Sequence, residues 1–258
     1  MSRPVLSLIL FMTIWTVLLP GKSVAADTFP LPFAAEYEAR YGGFRARAER
    51  SLEIQESGQY HMMTHLALRL LGKTISAITE QSQVTFDAEN GFIFPDAYSF
   101  EQTGLGKRYR AISFDWNNAV ATVLIEENSR DITLEGKVTD NLSAYLELHR
   151  QLVAGEKEIR FQGIDKDEVE EFRYEVQAEE SIETPLGIFD AVRVARIRPP
   201  GSDRSTTMWF ARDWDYLLLK LVQEEPGSSR INLSLRNAVM DGAAVNANDV
   251  SEKIDEDQ

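Results

Sequence analysis

Apolar and polar residues alternate with a period of two along most of this chain, the pattern of strands with one buried face. From Phe33 to Tyr41 the apolar set is Phe33, Ala35, Tyr37, Ala39 and Tyr41, interleaved with Glu36, Glu38 and Arg40. Gly42-Gly43 supplies the positive backbone angles of a tight hairpin turn. Phe44, Ala46, Ala48, Leu52 and Ile54 then alternate with Arg45, Arg47 and Glu49. The pattern predicts a first hairpin over residues 33–54.

Further strands are predicted at Tyr60–Leu70, Thr74–Phe86, Arg108–Phe114, Ala119–Ile125 and Ile132–Leu134, separated by Gly-, Asn- and Asp-rich turns. One helix interrupts them. Thr139 or Asp140 can cap it, Leu142, Tyr145, Leu146, His149, Leu152 and Val153 fall at helical spacing, and Gly155 can end it. Strands resume at Glu158–Phe161, Glu171–Ala178, Ile188–Ile197, Thr206–Ala211, Tyr216–Gln223 and Ile231–Leu235. With no Pro-, Gly- or Ser-rich linker and no repeat, residues 27–240 read as a single β-rich domain. The fold class expected is all-β, mainly antiparallel: a strongly curved sheet or open β-barrel with one packed α-helix.

The N-terminus reads differently. Arg3 is followed by the apolar run Val5–Leu19, by Pro20-Gly21, and by the small residues Ser23-Val24-Ala25-Ala26. That is the pattern of a signal peptide over residues 1–26, cleaved near Ala26, and it places the expected mature protein in the periplasm. The run is short for a membrane helix, which needs about 20 residues. The chain has no cysteine. It therefore has no residue for a lipoprotein's acyl chains, and thiol catalysis, thiolate metal sites and redox function are excluded. No stable membrane anchor is expected after cleavage.

Charge narrows the partners. The 258 residues carry 27 Lys and Arg against 41 Asp and Glu, a net charge of −14. Nucleic acid is excluded as a partner, since its binding needs a cationic footprint. The overall balance also disfavours anionic lipid headgroups. Residues 241–258, with Asp249, Glu252, Asp255, Glu256 and Asp257, read as a disordered acidic tail.

Candidate chemistry is sparse. His61 and His65 have the spacing of a helical metal pair, but they lie in a predicted strand, where residues four apart are about 13 Å distant. His149 sits on the apolar stripe of the helix as a hydrogen-bonded interface histidine. No serine elbow, zinc motif or phosphate loop is present, and Gly104-Leu105-Gly106-Lys107 lacks the spacing of one. No catalytic residue, metal site or cofactor is assigned. Arginines recur on strands: Arg45 and Arg47, Arg108 and Arg110, Arg193, Arg196 and Arg198. They can neutralise cross-strand acids or assemble a patch for an anionic ligand. The aromatics Tyr37, Tyr41, Tyr98, Phe100, Tyr109 and Trp209 are the candidate ligand-lining residues, on a concave sheet face or in an ordinary core.

The stretch Thr184-Pro185-Leu186-Gly187-Ile188-Phe189-Asp190-Ala191, then Met208-Trp209-Phe210-Ala211 and Tyr216-Leu217-Leu218-Leu219-Lys220, resembles the exported bacterial family catalogued as domain of unknown function 3108. Ala35-Glu36-Tyr37, Pro95–Tyr98, Phe114-Asp115-Trp116 and Asp140–Ser143 agree with it, so the resemblance spans about residues 33–237. That pattern's proline near Leu218 is absent here, which implies a more regular strand. More loosely, the turn-strand units are similar to those of periplasmic lipoprotein carriers. This likeness implies an incompletely closed sheet covered by helices around an apolar cavity. The resulting expectation is a non-enzymatic binding module for a lipid, another apolar or amphipathic envelope ligand, or an envelope protein. The alternatives are a two-carboxylate hydrolase of envelope polysaccharide and an assembly factor working through edge strands.

Overall fold

The computed structural model describes residues 29–41, 44–87, 91–227 and 230–248. The predicted signal peptide, the Gly42-Gly43 turn and the tail from residue 249 onward lie outside the described residues.

The chain forms two antiparallel meanders that share one sheet. The first comprises β1 (Phe33–Tyr41), β2 (Phe44–Ile54), β3 (Tyr60–Leu70), β4 (Lys73–Asp87), β5 (Phe92–Gly104), β6 (Arg108–Asp115), β7 (Val120–Ile125) and β8 (Asn128–Thr133). After the short β9 (Val138–Thr139) and α1 (Ala144–Val153) comes the second meander. It runs through β10 (Glu158–Asp165), β11 (Glu168–Thr184), β12 (Gly187–Ile197), β13 (Ser205–Ala211), β14 (Leu217–Glu224), β15 (Ile231–Met240) and β16 (Ala243–Ala244). The halves join through β1 and β15, antiparallel, with Phe33 opposite Met240 and Tyr41 opposite Ile231. β8 and β9 remain unjoined edges. The result is a large, curved, unclosed and mainly antiparallel sheet with one packed helix.

Curvature follows from strand twist reinforced by bulges, at Glu36/Tyr37, Leu68/Arg69, Gln83/Val84, Val176/Ala178 and Trp209/Phe210. The β9–β10 end rolls inward. Val138 and Ile164 join one core cluster with Val84, Ile93, Ile112 and Val123. The other cluster gathers Tyr37, Ala39 and Ala48 with Leu148 and Leu152 of α1 and the inner residues of β11–β15.

The first hairpin follows its alternation: Ala35, Tyr37 and Ala39 are buried, and their even-numbered neighbours point outward. β14 runs from Leu217 to Glu224, but it is not the more regular strand that the missing proline implies, since the register shift opposite Trp209/Phe210 leaves Leu219 bulged beside Leu218. Two further findings depart from expectation. β5 is a full strand that the alternation hides, because Asp96 is bulged out beside Pro95. The inward set thereby shifts from Ile93 to Tyr98 and Phe100. Proline donates no ladder hydrogen bond, so a bulge is where a strand accepts it.

The last departure corrects the tail boundary. Residues 241–248 are placed on the sheet rather than disordered. Asp241-Gly242 turns the chain, β16 pairs with β15, Val245 is buried, and the Asn248 amide donates to the Ile188 carbonyl. β16 adds backbone pairing to β15, and Val245 and Ala247 pack against the core, so the domain continues at least to residue 248.

α1 is set by a buried polar turn. Asp140 Oδ1 accepts hydrogen bonds from the Leu142 and Ser143 amides, and Oδ2 accepts from the Ser82 and Ser143 hydroxyls. This satisfies donors a helix start leaves unpaired. Burial still pushes the Asp140 carboxyl above the usual carboxylate range.

Candidate functional site

The aromatic candidates do not converge. Tyr37 is buried and donates from Oη to the Leu218 carbonyl at 2.9 Å. Tyr98 is buried and donates to Glu80 Oε1 at 2.9 Å while accepting from Arg110 at 3.0 Å. Burial pushes both phenols up, far above their ordinary value. Phe100 packs against the core. These three belong to the protein interior. Tyr109 projects from the opposite face, 41 % exposed. Trp209 donates to Glu180 there, with Arg193 and Lys220 beside it. The side chain of Tyr41 lies outside the described residues.

Among the described residues the inner face is packed by the two core clusters. Between α1 and the sheet a cavity of about 40 Å3 remains, bordered by Phe33, Arg50, Met62, Tyr145, His149 and Leu218. A single water needs ~10–15 Å3 by the same measure, so this space does not take an acyl chain. His149 meets Asp215 at 2.9 Å, which fits the interface role expected of it. His61 and His65 lie on β3, and His65 Nδ1 is 3.0 Å from the Thr79 hydroxyl.

The outer face carries the more distinctive arrangement. Across β15, β1, β2 and β3 a groove of about 590 Å3 is lined by Arg40, Arg45, Arg47, Arg69 and Arg236, with Glu38, Glu49, His65 and Ala67. Strand register explains the convergence. Arg40 stands opposite Arg45, Glu38 opposite Arg47, and Glu49 opposite His65. Arg236 arrives from β15 and pairs with Glu38 at 3.0 Å.

Several strand arginines elsewhere neutralise neighbouring acids, Arg160 with Glu158, Arg173 with Glu171 and Arg193 with Glu180. Among the described residues, no carboxylate lies within ion-pair distance of Arg40, Arg45, Arg47 or Arg69. Like charges directly opposite, as in Arg40 and Arg45, oppose strand pairing. Arg45 and Arg47 are evident from the sequence as a cluster. Arg40, Arg69 and Arg236 are not, because long-range pairing and a bulge bring them in.

A crystal structure of a β-barrel-like protein of domain of unknown function DUF1849 from Brucella abortus matches with a TM-score of 0.55 and 13 % identity. The match covers 82 % of this chain and 98 % of that one. At that identity the likeness establishes the fold alone, and it does not bear on the looser similarity to lipoprotein carriers. No curated protein matches the chain. Within the described residues no helix is long and apolar enough to cross a membrane. The family profile described as protein of unknown function (DUF3108) matches residues 36–236, the two meanders and the helix between them, and the chain belongs to that family.

Proposed function

We propose that this is an exported, non-enzymatic binding protein of the cell envelope whose arginine groove takes a ligand bearing several phosphate or carboxylate groups. The observation that carries the reading is the set of four arginines around one groove that have no carboxylate within ion-pair distance among the described residues, in a chain of net charge −14. Cross-strand neighbours stand ~5 Å apart and alternate residues along a strand ~7 Å apart. The guanidinium array therefore spans more than one anionic group. Arginine forks suit phosphate and carboxylate oxygens bidentately. An amphipathic envelope molecule belongs to this class through its head group. The packed inner face argues against housing its acyl chain inside.

A two-carboxylate hydrolase fits the groove less well. Its acids are outnumbered, and Glu38 is held by Arg236. The inner acids are engaged as well, Asp140 in the helix turn and Glu80 by Tyr98. Export is supported by the N-terminal apolar run and its small-residue cleavage pattern.

Calorimetric titration with a soluble polyphosphate and a polyuronate, at several salt concentrations, tests the binding reading. One of them should bind with an affinity that falls steeply with salt, and Arg45→Glu/Arg47→Glu should abolish the heat. Binding that is indifferent to this double reversal, or absent for both probes, would sink it.

A further inference from the structure

Three adjacent hairpins end at the same rim of the sheet. Phe44 opens β2 beyond the first turn. Leu70-Leu71-Gly72-Lys73 joins β3 to β4, and Leu105-Gly106-Lys107 joins β5 to β6. The second and third tips are tied together, since the Leu105 amide donates to the Ile75 carbonyl at 3.2 Å and Ser76 pairs with Gly104. The first lies one strand pair away, with Ala46 opposite Leu68.

These tips carry the wrong residues for ordinary solvent turns. Leu71 is 96 % exposed, Leu105 66 %, and Phe44 and Leu70 51 % each. Leu71 also sits at φ 49°, in the left-handed region where Gly, Asn or Asp is usual. A strained, fully exposed leucine contributes nothing to the fold that asparagine would not. Around the tips stand Arg45, Arg47, Arg69, Lys73, Lys107 and Arg108, with no acid in 44–47, 69–76 or 102–108, while the turns on either side at the same rim carry Glu126-Glu127 and Glu224-Glu225.

We propose that this rim docks on an anionic lipid bilayer, the leucine tips and Phe44 entering the headgroup boundary and the surrounding cations meeting lipid phosphates. Neighbouring hairpins are spaced by two strand widths, ~10 Å. Separate apolar points at that spacing suit a bilayer surface better than the continuous apolar core of a protein interface. The chain's overall negative charge does not prevent this. At physiological salt charges are felt over ~8 Å, so the cations of the three tips govern the approach, and of the acidic turns beside them Glu224 and Glu225 are paired with Arg230 and Arg204. The proposal goes beyond the groove reading and stands independently of it, although Arg45, Arg47 and Arg69 serve both.

Sedimentation with phosphatidylglycerol/phosphatidylcholine vesicles, against phosphatidylcholine alone, tests it with the full mature chain. Wild type should co-sediment with the anionic vesicles only. Leu71→Ser/Leu105→Ser should weaken that partition at least tenfold while leaving polyphosphate binding and circular dichroism unchanged. Vesicle binding retained when polyphosphate fails to bind separates the two readings. Equal partition of the serine variant, or no partition of wild type, overturns the proposal. Capture by polyglutamate with no vesicle binding overturns it in favour of an acidic protein partner.

Discussion

Ser82 Oγ donates a 2.7 Å hydrogen bond to Asp140 Oδ2, joining β4 to the turn before α1 across 58 residues, with both side chains fully buried. The same carboxylate holds the Leu142 and Ser143 amides. It is the point at which helix and sheet are locked together.

Asp140→Ala therefore leaves three or more buried donors without an acceptor. Each costs ~1–3 kcal/mol, so the variant should lose about 3 kcal/mol or more in urea unfolding. Asp140→Asn keeps Oδ1 for the two amides and should lose roughly half as much. A loss under about 1 kcal/mol for alanine would show that the turn stands without its carboxylate.

Tyr37 supplies a second test, of whether the inward aromatics are core or ligand wall. Tyr37→Phe removes one buried hydrogen bond to the Leu218 carbonyl and nothing else. The expected loss is ~1–2 kcal/mol in unfolding free energy, with polyphosphate affinity unchanged. Weakened ligand binding at full stability would assign Tyr37 to a binding wall instead.

How much of this was legible in the sequence depends on the range of the interactions. The Tyr37/Ala39 face and the helix stripe through Leu146, His149 and Leu152 are local periodicities, and both are buried as the pattern predicts, although Val153 at the end of that stripe is exposed and Leu148 outside it is buried. β5 was hidden because Pro95 and the bulge at Asp96 switch which residues face inward. Residues 243–247 read as tail because four small apolar side chains declare no period, yet the backbone pairs with β15 and Val245 and Ala247 reach the core. The groove was hidden for a third reason. Arg236 and Glu38 are 198 residues apart and meet only because the last long strand returns to the first. A whole-chain charge of −14 also conceals a local cluster of arginines.

Asp215 gives a prediction about the N-terminal segment. Its Oδ1 accepts from His149 Nε2 and its Oδ2 accepts from the Leu31 amide at 2.8 Å. Leu31 is 42 % exposed, so protection of its amide rests on this one bond. Asp215→Asn keeps a residue that tolerates the φ of 46° found there. Asp215→Ala should accelerate exchange of the Leu31 amide at least about tenfold, while amides of β1 stay protected. The asparagine variant should lie between. Unchanged exchange at Leu31 in the alanine variant rejects the anchor.

Glu80 predicts a slope in stability against pH. Burial raises its carboxyl above the usual range, opposed by the Tyr98 hydroxyl and by Arg110 and Arg50. Between its ordinary value and the raised native one, the folded chain keeps a proton that the unfolded chain has released. The stability contributed is fully present below the ordinary carboxylate value and is lost as pH rises through the native one. Asp140 acts in the same direction. Glu80→Gln retains an acceptor for Tyr98 and cannot titrate. The difference in urea midpoint between variant and wild type should therefore shift in the variant's favour as pH is raised from about 4 to 8, and Asp140's share of the slope should persist in the variant. A difference that stays constant across that range would mean that Glu80 ionises as readily in the folded protein as in the unfolded chain.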